Sequence, residues 1–218
     1  MPTFDELKKS SDSPSQVRKA LSGVAFLAPM TAPHVATLTD AQGAIQALPA
    51  GYKPVGLVSK DGYTFSGSTD TAEVEALGYS SPVREDIVSR TSEVTFTAYE
   101  VFRKELLELA YGLDLSGAEQ GANGEIVFDM PAMPANREFR LVIIARDGSG
   151  DTETYRAKYL PRVKMTEVPD ETWNSDDAMA FEVTLKALVD DELGTGERNF
   201  IAGPGVKADA ELGFNKTA

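Results

Sequence analysis

"RTSEVTFTAYEVFRKELLELAYG" spans residues 90–112, and its two halves follow different periods. In the first half Val94 and Phe96 alternate with Glu93, Thr95 and Thr97, the two-residue period of a strand with one buried face. In the second, Phe102, Leu106, Leu109 and Leu113 recur at helical spacing, with Glu100, Arg103, Lys104, Glu105 and Glu108 on the wet side. Thr97 and Glu100 stand at the spacing of a capping box and Gly112 supplies a stop, so the pattern predicts a helix over 98–112. No other segment carries a strong helix signal. The predicted class is therefore mostly β with one flanking α-helix, a sandwich or barrel of about eight strands.

Upstream, "ALSGVAFLAPM" reads as a first strand broken by Pro29 and Pro33. "LTDAQGAIQALPAGY" reads as a helical turn or loop. In "PVGLVSKDGYTFSG", Val55, Leu57, Tyr63 and Phe65 are spaced by two on either side of Asp61-Gly62, which predicts a hairpin with a Lys-Asp-Gly tip. Downstream, Leu141-Val142-Ile143-Ile144 runs without alternation, as in a strand buried on both faces. "DGSGD" at 147–151 reads as a hairpin tip answered by "TETYRAKYL", and "PRVKMTEV" follows. In "AFEVTLKALVD", Phe181, Val183 and Leu185 alternate with Glu182, Thr184 and Lys186. From Leu193 the sequence turns to Gly-rich coil. The expected organisation is an N-terminal arm at 1–20, a β-sandwich body at 21–192 and a C-terminal arm at 193–218.

Composition narrows the function. The 218 residues carry a formal net charge of -13. From residue 137 to 164 there are seven basic and four acidic residues, whereas residues 167–218 hold four basic and twelve acidic. Such a surface repels phosphate backbones and argues against tight DNA binding. Cysteine is absent, which excludes disulfides, thiolate metal sites and a cysteine nucleophile. The polar N-terminus lacks the apolar core of a signal peptide, and "GVAFLAPM" is far short of a membrane span, so membrane insertion is not expected.

No residue pattern supports catalysis. His34, the one histidine, lies between prolines with no acid or nucleophile at motif spacing, and reads as a surface side chain. Asp176-Asp177 and Asp190-Asp191-Glu192 read as solvated carboxylates rather than a cation site. "GTGERN" falls short of a phosphate-binding loop and precedes no helix. Trp173 and the tyrosines read as core and interface residues. Neither an enzyme nor a bound cofactor or metal is expected. The long polar stretch between Lys53 and Ile87 remains to be explained, either as a loop for chemistry or as an arm lying on a neighbouring subunit.

Three pieces of sequence, "LPAGYKPVGLVSKDGYTFSGSTDTAEVEALGYSSPVRED", "EVTFTAYEVFRKELLELAYGLDL" and "REFRLVIIARDGSGDTETYRAKYLPRV", resemble in order and spacing the major tail (tail tube) proteins of long-tailed, siphovirus-type phages, especially those of actinobacterial hosts. The resemblance covers about residues 48–189. It implies a structural virion protein of the tail, assembled in the host cytoplasm into hexameric rings that stack into a tube for double-stranded DNA. The implied partners are further copies of the chain and the tape measure, tail terminator and baseplate or tip proteins. It also implies that residues 59–90 form an arm bridging subunits, with Ser59, Asp61, Tyr63, Phe65, Arg84, Glu85 and Asp86 as its contact residues. Two polar strand faces, Glu93, Thr95, Thr97 and Glu182, Thr184, Lys186, are candidates for the channel lining, since a sandwich turns its apolar faces inward. The competing expectation is a virion β-sandwich module binding a receptor or carbohydrate, which a cluster of exposed aromatics would favour.

Overall fold

The computed structural model describes residues 2–133, 135, 137–208 and 212–214. Its strands are β1 Ser22–Pro29, β2 Lys53–Pro54, β3 Thr64–Val74, β4 Arg84–Ala98, β5 Phe139–Asp147, β6 Thr154–Met165, β7 Phe181–Ala187 and β8 Arg198–Ala202. Helices are α1 Phe4–Ser11, α2 Lys104–Tyr111 and α3 Pro204–Ala208. The strands form one antiparallel sheet in the order β2-β1-β5-β6-β7-β4-β3, with β8 beside β6. The chain is thus β-rich with few helices, as its patterning predicts.

The sheet bends at β6. Tyr155–Tyr159 of this strand pair with β8, whereas Val163–Met165 pair with β7. Pro161 falls in the gap, where the ladder to β5 also shifts register. A proline donates no ladder hydrogen bond, so a bulge is where a strand tolerates one. "TETYRAKYL" and "PRVKMTEV" are accordingly one bent strand.

The bend lets the two wings of the sheet share one core. Ala25 and Leu27 of β1, Leu141 and Ile143 of β5, Val94 and Phe96 of β4, and Val183 and Leu185 of β7 pack together with Leu106, Leu109 and Ala110 of α2. On the other side of β5, Val142 and Ile144 meet Val35, Leu38, Ala157 and Tyr159. The unalternating run Leu141–Ile144 is therefore buried on both faces.

A short strap joins β1 to β4, the second strand from each end of the sheet. The Val55 amide donates to Ala25 O at 2.9 Å, and the Ser59 amide donates to Thr97 O at 2.9 Å. Gly56 between them has φ 97°, and a Cβ there would lie 2.5 Å from the Glu100 carboxyl carbon. Only glycine combines that conformation with that approach.

The strap also corrects the predicted helix start. Glu100 accepts from the Leu57 amide at 2.8 Å and pairs with Arg103 at 2.6 Å, so it is not free to cap a helix. The Leu57 amide, then Arg103, holds its carboxyl below the usual range. Thr97 stays in β4, and α2 begins at Lys104 after the cap residue Arg103. Phe102, expected in the core, is exposed. The other end is as expected, with Gly112 in the left-handed region at φ 63°.

Two further expectations are revised. Ser59–Gly62 is a tight turn inside the strap, with the Gly62 amide on Ser59 O at 3.0 Å, and does not join paired strands. Lys53–Pro54 pair with β1 instead, and the hairpin tip lies at residues 75–83. The expected C-terminal arm begins inside the body: β8 adds five residues to the edge of the β6 ladder.

Candidate assembly surfaces

β3 and β4 form a hairpin whose outer half has no support from the rest of the described residues. All of β3 is exposed, and so are the first seven residues of β4. Eleven residue pairs connect the strands, with a register shift between Asp70 and Thr71 that leaves Val88 unpaired. At the tip Val74 and Val83 close the ladder at 2.9 Å, and Gly78 turns the chain at φ 89°. Leu77 is 104% exposed and Tyr79 72%. Val74, Val83, Ile87 and Val88 are also exposed. Polar groups hold the arm locally: Arg84 forks onto Asp86 at 2.6 and 3.0 Å, and Ser89 donates to Asp70 at 2.6 Å.

The residues assigned to the arm divide between it and its root. Arg84, Glu85 and Asp86 lie on the projecting half. Ser59 is buried, and Asp61 sits in the same turn, its amide on Ser59 Oγ at 3.2 Å. Tyr63 packs against the core beside Phe96, ring centroids 5.4 Å apart. Its hydroxyl is buried without a hydrogen-bond partner among the described residues, and burial pushes the phenol up to about 12. Phe65 lies under the Lys158 ammonium, 4.4 Å from the ring centre. Lys158 pairs with Glu197 at 2.8 Å, and Glu197 accepts from Ser92 of β4 at 3.2 Å. Burial works against the Glu197 charge, but Lys158, Asn199 and Ser92 together hold its carboxyl below the usual range. This chain of contacts ties both strands of the arm to β6 and to Glu197, just before β8.

The second candidate surface is more compact than its two separate sequences suggest. β4 and β7 pair so that Glu93 faces Lys186, Thr95 faces Thr184 and Thr97 faces Glu182. All six expected residues therefore lie on one face. The row through Glu93 continues to Ser66 on β3 and Lys164 on β6. The Thr95 and Thr184 hydroxyls are 3.1 Å apart. With Glu93 and Glu182 against Lys164 and Lys186, the face is polar with balanced charge, not acidic. Acidity returns at its Thr97 end, where the loop 167–180 borders a cavity of about 540 Å³ lined by Glu167, Asp170, Asp177 and Glu182.

A third surface was not legible in the sequence. Val101, Phe102, Leu107 and Tyr111 meet Ile126, Phe128, Trp173, Met179 and Phe181 around a cavity of about 450 Å³. Glu171 orients two of its walls, accepting from the Tyr111 hydroxyl and from Trp173 Nε1. Trp173, expected in core or interface, is exposed.

His34 is likewise not a surface side chain. It stands against Tyr159 Oη at 2.9 Å and the Arg140 guanidinium, with Glu192 at 2.9 Å and Asp190 at 3.6 Å. Asp190, read as solvated, is buried and caps the 190–193 turn through the Glu192 and Leu193 amides. The cluster fastens the 30–35 loop to the turn before β8. Among the described residues no helix is long and apolar enough to cross a membrane.

A β-rich body that presents a long, unsupported hairpin and an uncovered apolar groove is the build of a structural subunit that joins other chains. Comparison with family models gives the particular kind. The chain belongs to the phage tail tube protein family, whose model matches residues 10–201. It is a structural protein of the virion tail, and the family implies self-assembly into a tube with other tail proteins. A search of curated proteins finds no match.

Proposed function

We propose that the chain assembles into hexameric rings stacked as the tail tube of a siphovirus-type phage, formed in the host cytoplasm, and that DNA passes along the tube on its way into the host. The β3–β4 arm carries this reading. A two-stranded ribbon with both faces in water is marginal alone, and its tip exposes Leu77 and Tyr79. Such a ribbon gains its stability from a neighbouring subunit. Arg84, Glu85 and Asp86 are its flanking contacts, with Ser59, Asp61, Tyr63 and Phe65 securing the root.

The six-residue face of β4 and β7 is the proposed channel lining. Its threonines and balanced charges offer phosphates no net attraction, so DNA slides past without being held. Negative-stain microscopy of the purified chain tests assembly directly, with tubes or stacked rings expected. In assembled particles, Glu93→Lys with Glu182→Lys should preserve the tube and slow DNA release at low salt. Release at the wild-type rate would move the channel to another face.

One observation favours a second reading as a binding module: Phe102, Phe128 and Trp173 line one groove, and aromatic walls can stack on sugar rings. Saturable quenching of Trp173 emission by soluble glycans, without tube formation, would support it.

A further inference from the structure

We propose that the apolar groove beside α2 receives the arm tip of a second copy, with Leu77 and Tyr79 as the inserted side chains. The inference rests on the tube reading above and names the acceptor site that it lacks.

The tip joins the outer ends of β3 and β4, whereas Val101 and Phe102 of the groove come three and four residues after Ala98 at the other end of β4. Phe181, also in the groove, is the β7 partner of Ala98. An extended strand advances about 3.3 Å per residue, so the length of β4 separates tip from groove by up to about 45 Å. The paired arm points away from its own groove and cannot fold back into it without losing its ladder. Tip and groove therefore meet only between copies, and the contact is head-to-tail. A contact between opposite ends of one molecule does not close on itself in a pair; repeated, it closes a ring or extends a stack, and the length of the arm assigns it here to the stack.

The chemistry of the two surfaces agrees. A cavity of about 450 Å³ walled by Leu107, Ile126, Trp173, Met179 and Phe181 accommodates one leucine and one tyrosine side chain. The tyrosine also finds a polar edge there in Glu171. The inserted pair covers roughly 300 Å², far below the roughly 800 Å² per partner of a stable isolated complex. A single tip thus holds weakly, and a ring of tips engaging a ring of grooves holds firmly. Such a subunit stays separate until rings present the contacts together.

The chain lacks cysteine and has one tryptophan, Trp173, in the groove wall. The pair Leu77→Cys with Phe102→Cys, oxidised after assembly, should give a ladder of cross-linked multimers on denaturing gels, while either single change gives dimers at most. Trp173 emission should shift to the blue as wild-type tubes form. Leu77→Asp with Tyr79→Asp should keep the monomer's circular dichroism and raise the concentration needed for assembly at least ten-fold. Tubes that form normally in that variant, with no ladder and unchanged Trp173 emission, would overturn the docking and leave the tube reading intact. A wild-type chain that never assembles would overturn both.

Discussion

β4 is a single strand with two kinds of surroundings. From Thr91 to Ala98 it pairs with β3 as far as Thr95 and with β7 from Ser92 onward, and Val94, Phe96 and Ala98 are buried. From Arg84 to Arg90 it pairs with β3 alone and every residue is exposed. Both halves have a backbone ladder on at least one edge, so hydrogen bonding does not distinguish them. Burial does. Removing apolar surface from water contributes roughly 25 cal/mol per Å², whereas a typical hydrogen bond nets about 1 kcal/mol after its exchange with water. The inner half belongs to the body's cooperative unit. The outer half is a preformed ribbon whose apolar residues, Val74, Val83, Ile87 and Val88, lie exposed to water.

The largest effect should come from the body. Leu106→Ala removes a fully buried side chain where α2 meets the sheet and should cost about 2–5 kcal/mol in urea unfolding. Glu105→Ala, on the same helix but outside the core cluster, should stay within about 0.5 kcal/mol. Equal losses would mean that α2 is not held by its buried face.

Excising the outer ribbon is the sharpest test of the contrast. Removing residues 69–90 and joining Ser68 to Thr91, a native cross-strand pair, through Asn-Gly leaves a two-residue hairpin turn. The body should keep its stability to within about 1 kcal/mol, and tubes should be lost. A molten body would place the arm inside the cooperative unit.

At the junction the contrast becomes pH-dependent. The folded-state acidity of Glu197 is stronger than its ordinary value of 4.5. Its ion pair therefore contributes fully above 4.5 and is lost as pH falls through the lower folded value. Glu197→Gln should flatten the acid limb of stability below pH 4.5, by an amount on the order of 1 kcal/mol or less for a pair open to water on one side. The same variant should speed amide exchange at Phe65 and Ser92, which the pair ties together.

The smallest effect is expected at Tyr63. Its hydroxyl is buried with no partner among the described residues, so Tyr63→Phe removes an unsatisfied group and should leave stability unchanged or raise it by about 0.5–1 kcal/mol. Destabilisation would reveal a partner for that hydroxyl, such as bound water.

What could be read from the sequence divides along the same line. Leu141–Ile144, the alternation of β7 and the inner half of β4 were legible because burial imposes a period on side chains. The outer arm has no buried face, so no period marks its strands, and the local pattern points to a hairpin at Asp61-Gly62 instead of at 75–83. The early helix start came from reading Thr97 and Glu100 locally, whereas Glu100 serves the Leu57 amide 43 residues away. β8 is short and half-exposed, and only its pairing with β6 identifies it. His34, Arg140 and Asp190 are far apart in sequence, and nothing in their neighbours announces a shared site. Glu93, Thr95, Thr97 and Glu182, Thr184, Lys186 are legible as two strand faces; their pairing into one surface comes from register.

Because the arm continues β4 rather than hanging from a flexible loop, tension has a definite route through the subunit. A pull on Leu77 along the ribbon enters the body through β4, which is joined to β7 by seven residue pairs from Ser92 to Ala98. Antiparallel hydrogen bonds lie across the strands, so a load along β4 shears the whole ladder at once instead of peeling it open bond by bond. β7 passes part of that load to β6, and the strap at 55–59 passes part of it to β1. A stretched or bent file of such subunits would carry strain as a rope does, along continuous strands, and its joints rather than its bodies would be the first to slip.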